Sequence, residues 1–158
     1  RATGTVTHPS ADLRRRARAC GEGCLPDPAV VTNRRKAVGE SGEEAAKAFL
    51  KRRGIRILAE NFVCAAGEID LIGREREILV FFEVKARTSD AFGPPQLAVH
   101  RRKQRQIVRA AQWYLAEQRM IDVPCRFDVL AVTFPEGGGS PRVDWVPDAF
   151  PAEGQEVW

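Results

Sequence analysis

The chain has 158 residues, enough for one domain with an added arm and too few for two full domains. Its longest clean apolar run, Ile78–Phe82, falls far short of the roughly 20 residues of a membrane helix, so no membrane association is expected. The formal charge of +4 comes from 25 basic and 21 acidic residues, but eight of the basic and only three of the acidic ones lie within residues 1–36. The rest of the chain is therefore close to neutral, and only local clusters can argue for a polyanionic partner.

Residues 1–36 show no apolar periodicity and carry the run Arg14-Arg15-Arg16-Ala17-Arg18. They read as a disordered basic arm. They hold no continuous apolar stretch for a secretory signal, and Asp12, Glu22 and Asp27 count against a transit peptide. A start at Arg1 rather than Met suits a fragment, a processed product or a start placed too far upstream. Cys20, Cys24 and His8 lack a fourth ligand and the spacing of a zinc site. The four cysteines follow no regular framework and read as thiols of a reducing, cytoplasmic compartment.

A domain is expected over residues 37–150, with a tail over 151–158. From Gly42 to Arg53, Ala45, Ala46, Phe49 and Leu50 recur at helical spacing, and Gly54 supplies a stop. Ile55–Val63 is β-prone, Ala66-Gly67 reads as a turn, and Glu68–Ile72 alternates as a strand does. Arg74–Glu77 reads as a hairpin tip. Ile78–Arg87 is the strongest strand, and its apolar start predicts burial on both faces and a central position. After a loop over Thr88–Pro95, a helix of at most Gln96–Met120 carries the stripe Ile107, Ala110, Ala111, Tyr114 and Leu115. Strands over Arg126–Phe134 and Arg142–Val146 flank a Gly-rich turn. The order α-β-β-β-α-β-β predicts an α/β fold, a mixed sheet flanked by helices.

Alternation along a strand puts Glu83 and Lys85 on one face, with Val80, Phe82 and Val84 on the other. A carboxylate and an ammonium on a central strand are costly to desolvate unless they serve a purpose. A hairpin about Arg74–Glu77 places Asp70 nearly opposite Phe81 and one pleat from Glu83. Two carboxylates and a lysine at one sheet face suit Mg2+ (or Mn2+) and phosphodiester hydrolysis, because hard cations take oxygen ligands. A cross-face ion pair with a neighbouring structural Asp is the simpler alternative.

Gly67-Glu68-Ile69-Asp70-Leu71-Ile72 followed by Phe82-Glu83-Val84-Lys85-Ala86-Arg87 resembles the PD-(D/E)xK nuclease signature. Ile69 stands where that name puts Pro. With Gly42-Glu43-Glu44-Ala45-Ala46, Phe92-Gly93, Lys103, Tyr114-Leu115, Arg126-Phe127-Asp128-Val129 and Asp148-Ala149-Phe150, the stretch from about Val38 to Phe150 resembles the YraN family of bacterial proteins. The resemblance implies a restriction-endonuclease-like fold, distantly similar to archaeal Holliday junction resolvases. It assigns Asp70 and Glu83 as metal-binding acids, Lys85 as the catalytic lysine, and Glu43 as an added helix-borne acid. Asp128 reads instead as a structural hydrogen-bonding residue.

His100, Arg101, Arg102, Lys103, Arg105 and Arg109 crowd the start of the second helix. Arg101, Arg102, Lys103 and Arg105 are the expected nucleic-acid contacts, Lys103 also lying beside the inward stripe. Trp113 and Tyr114 read as core residues rather than base-stacking groups. The expected function is a metal-dependent DNA endonuclease, with selectivity for junctions or branched DNA as its finer form. A non-catalytic nucleic-acid-binding module of the same fold is the alternative, and a homodimer is a corollary of junction cleavage alone.

Overall fold

The computed structural model describes residues 28–88 and 99–152, with side chains from Lys36 onward. The chain divides into two units, residues 1–34 and 35–158. In the first, the described residues are helical from Pro28. The rest of the expected arm, most of the Thr88–Pro95 loop and residues 153–158 lie outside the described residues.

The elements are α1 (Pro28–Arg52), β1 (Arg56–Cys64), β2 (Gly67–Glu75), β3 (Ile78–Arg87), α2 (Arg101–Glu117), β4 (Cys125–Thr133) and β5 (Arg142–Val146). The five strands form one sheet in chain order, and β3 is its middle strand. The pairs β1–β2, β2–β3 and β4–β5 are antiparallel, whereas β3 and β4 run parallel across the α2 crossover. The expected α/β architecture and element order are therefore present. Among the described residues, no helix is long and apolar enough to cross a membrane.

The strands β1, β2 and β4 differ from expectation by one to three residues at their ends, and both helices and one strand register differ more. Helix α1 starts at Pro28, fourteen residues before Gly42, because Ala29–Val38 holds neither Pro nor Gly and continues the helix where no apolar stripe announces it. Helix α2 starts at Arg101 and ends at Glu117, with His100 as N-cap in extended conformation. In the β2–β3 hairpin Leu71 pairs with Phe82 and Ile72 with Phe81, two residues from the expected register. A slip of two preserves every face, so the side-chain assignments survive it.

The two faces of the sheet bury separate cores. On one, Leu79, Phe81, Phe127 and Val129 pack against Ile107, Ala110, Ala111 and Tyr114 of α2. On the other, Val80, Phe82, Leu130 and Val132 pack against Ala46 and Leu50 of α1. Helix α1 ends at Gly54, whose φ of 80° closes the Ile55 N–H onto the Leu50 carbonyl at 3.1 Å. Gly42 sets how closely α1 approaches the sheet, since a Cβ there would stand 2.5 Å from the Ala86 Cβ. Gly39, one turn earlier, faces open space.

These two glycines make a matched test. Gly39→Ala should gain up to about 1 kcal/mol of helix propensity. Gly42→Ala meets the same propensity gain but must push the helix off Ala86, and should lose about 1–3 kcal/mol in urea unfolding. Equal effects at the two positions would mean that the contact at Gly42 is slack.

Candidate active site

Two carboxylates are buried in the middle of the sheet, on adjacent strands and opposite faces. Asp128 of β4 is fully buried and accepts four hydrogen bonds. Arg126 Nε and Nη2 donate at 2.8 and 2.9 Å, Trp145 Nε1 at 2.9 Å and the Asp148 N–H at 2.9 Å. All of its acceptor capacity is used, which is what a structural carboxylate requires. The sequence expectation for Asp128 holds.

Glu83 of β3 is different. Its side chain is 2% exposed, and Lys85 Nζ donates to Oε1 at 2.5 Å. Its other oxygen, Oε2, is buried and accepts no hydrogen bond among the described residues. Lys103 Nζ of α2 stands 3.3 Å from it, within ion-pair reach but not aligned as a donor. Leaving a carboxylate oxygen without a hydrogen bond in a low-dielectric interior is costly.

Asp70 lies beside it. The β2–β3 ladder runs to Leu71–Phe82, and beyond it the Val84 N–H donates to Asp70 Oδ2 at 2.6 Å. The carboxylate has taken the place of a ladder acceptor. Here strand alternation breaks: Ile69 and Ile72 both pack on the α2 side while Leu71 packs on the other. Across on β1, Asn61 sits between the Glu60–Leu71 and Phe62–Ile69 pairs with a left-handed φ of 49°. Such local distortions re-aim side chains beside functional sites. The pattern of residues 68–72 gave no sign of this one, and an Asn, which tolerates left-handed φ, was the available signal.

Burial pushes the Asp70 carboxyl up, as does the neighbouring Glu83 charge, to about 7; the Val84 N–H, Lys103 and Lys85 pull the other way. Asp70, Glu83, Lys85 and Lys103 thus share one site, with Glu68 at its rim 3.8 Å from Lys103. Lys103, expected among the nucleic-acid contacts, turns inward, while Arg101, Arg102 and Arg105 stay exposed. Glu43 is half-buried beside Gly42, and no contact among the described residues joins it to this group. Among the described residues no set of three or more His, Cys, Asp or Glu side chains gathers as a metal cage. The Cys125 thiol is no substitute nucleophile, because burial pushes it up to about 11.

The model of the Uncharacterised protein family UPF0102 matches residues 42–132, which include the helix contact, the hairpin and the whole site. The chain belongs to this family. A UPF0102 protein of Geobacter metallireducens is 48% identical over 115 residues, covering 73% of this chain and 93% of its own length. One from Geotalea daltonii is 48% identical over 118 residues, covering 75% and 92%. One from Syntrophotalea carbinolica is 44% identical over 124 residues, covering 78% and 99%. The YraN resemblance of the core motifs names this same family.

The raised Asp70 carboxyl has a stability consequence. The unfolded chain releases this proton near 3.8 and the folded chain near 7, so the group lowers stability progressively across that window. Above it the loss is constant. With divalent cations chelated, Asp70→Asn should therefore be more stable than wild type at pH 8, with the gain shrinking toward pH 5. Urea unfolding at both pH values checks this; a pH-independent effect would mean that Asp70 is not held protonated.

Proposed function

We propose that the chain is a divalent-metal-dependent DNA endonuclease of the cytoplasm, with Asp70 and Glu83 as the residues that hold Mg2+ or Mn2+. The contrast between the two buried carboxylates carries this reading. Asp128 is saturated by four donors, whereas Glu83 keeps a buried oxygen free of hydrogen bonds beside a second carboxyl. Oxygen-only donors suit a hard cation, and Mg2+ is commonly held by one or two carboxylates, with waters and substrate phosphate completing its shell. Two acids are therefore enough, and a three-acid cage is not needed.

When bound, the cation supplies charge to phosphodiester oxygens and acidity to an attacking water. The protein's own groups do the rest. Val84 fixes Asp70 through its backbone N–H, so one ligand is oriented before anything binds. Lys85, 38% exposed, holds Glu83 from the solvent side and can present its ammonium to negative charge developing on phosphate. Lys103 adds a positive charge 3.3 Å from the buried oxygen of the same carboxylate. Glu43 remains the added acid only by resemblance. Selectivity for junctions, and the homodimer that junction cleavage implies, extend this reading.

Lys85 separates an enzyme from a binding module. Lys85→Ala should abolish cleavage of junction, flap or linear DNA with Mg2+ or Mn2+ while changing DNA affinity by only about threefold at fixed salt. Its unfolding midpoint should be measured alongside, because the change strips Glu83 of its hydrogen bond. An ion pair that merely braces the fold would lose stability without this split. A wild type that binds DNA and cleaves none of these substrates with either metal would make the chain a binding module.

A further inference from the structure

Helix α2 has two working faces. Its inward side carries Ile107, Ala110, Ala111 and Tyr114 into the core and Lys103 to Glu83. Its outward side carries Arg102, Gln106, Arg109 and Trp113, spaced i, i+4, i+7 and i+11 and so aligned along the helix. All four are exposed, with Arg101 and Arg105 flanking the row. None of these arginines pairs with an acid among the described residues.

Trp113 contradicts its sequence reading. Tyr114 is in the core, edge-on to Phe62 and Phe81, but Trp113 is 55% exposed. Among the described residues, no ring stacks on its indole and no guanidinium covers it. The cation–ring contacts are Arg53 over Phe49 and Arg126 over Trp145. A free indole face at the end of an arginine row has the two features of a single-strand platform: cations for phosphates and a flat ring for a base. The row begins on the turn that carries Lys103 into the site, and Trp113 stands roughly 15 Å farther along the helix.

We infer that the outer row of α2 binds a single-stranded segment of nucleic acid, with Trp113 stacking on an unpaired base and Arg102 and Arg109 holding its phosphates. This rests on the nuclease reading for its biological sense and narrows its substrate to DNA with unpaired nucleotides near the cleaved bond. The binding itself requires no cleavage.

The test is fluorescence anisotropy of the full chain with a labelled oligo-dT strand and a blunt duplex of equal length, at one salt concentration. Trp113→Ala should weaken oligo-dT binding about 5- to 100-fold, the range of one stacked base, and duplex binding no more than about twofold. Trp113→Phe should recover most of the loss, and Arg109→Ala should weaken both ligands and flatten the salt dependence. Oligo-dT affinity unchanged in Trp113→Ala overturns the inference. So does a wild-type dimer that Trp113→Ala converts to monomer with affinity intact, since the patch would then join two copies. Cleavage assays on the same preparations keep the two readings apart. Cleavage with no Trp113 dependence of binding removes the platform alone; a Trp113-dependent affinity without cleavage removes the nuclease alone.

Discussion

Everything distinctive in this structure turns on a carboxylate placed where the sheet is driest. Glu83 lies on the middle strand, between the cores that α1 and α2 build on the two faces. A charge there requires compensation by several donors or by a cation. The protein supplies one hydrogen bond from Lys85 and one imperfect contact from Lys103, then places a second acid alongside. A fold selected only for stability has a better solution at hand, and uses it one strand away at Asp128. The site is thus a local departure from the consistency that the rest of the sheet obeys.

The elements around the site hold that departure in place. Gly42 lets α1 sit hard against Ala86 at the end of β3 that carries Lys85. The β2–β3 ladder gives way beside Asp70, whose carboxylate takes over the Val84 N–H. Helix α2 crosses the other face and delivers Lys103. Each contact comes from a different segment, so the site forms only when α1, the β2–β3 hairpin and α2 have come together.

Much of this was legible in the sequence because strand periodicity is strict. The bounds of β3 and β5, the central place of β3 and the shared face of Glu83 and Lys85 follow from alternation and an apolar run. The hairpin register was two residues off, an error that period two forgives. The missing parts depend on physics that periodicity does not encode. The left-handed Asn61 and the slip in alternation at Asp70 are tertiary adjustments. The saturation of Asp128 required knowing that Trp145 of β5 and the Asp148 N–H just after that strand converge on it. Trp113 was misplaced because an aromatic residue next to a core Tyr reads as core, although helical geometry puts neighbours about 100° apart.

The central claim is that Asp70 and Glu83 form one cation site, and anomalous diffraction from crystals of the chain soaked in Mn2+ addresses it most directly. The account predicts an anomalous peak about 2.1 Å from one oxygen of each carboxylate, within the coordination distances of such cations. Glu83 Oε2 should be among the ligands. The account is contradicted if Mn2+-saturated crystals show no peak between the two carboxylates and Glu83 keeps its metal-free contacts with Lys85 and Lys103.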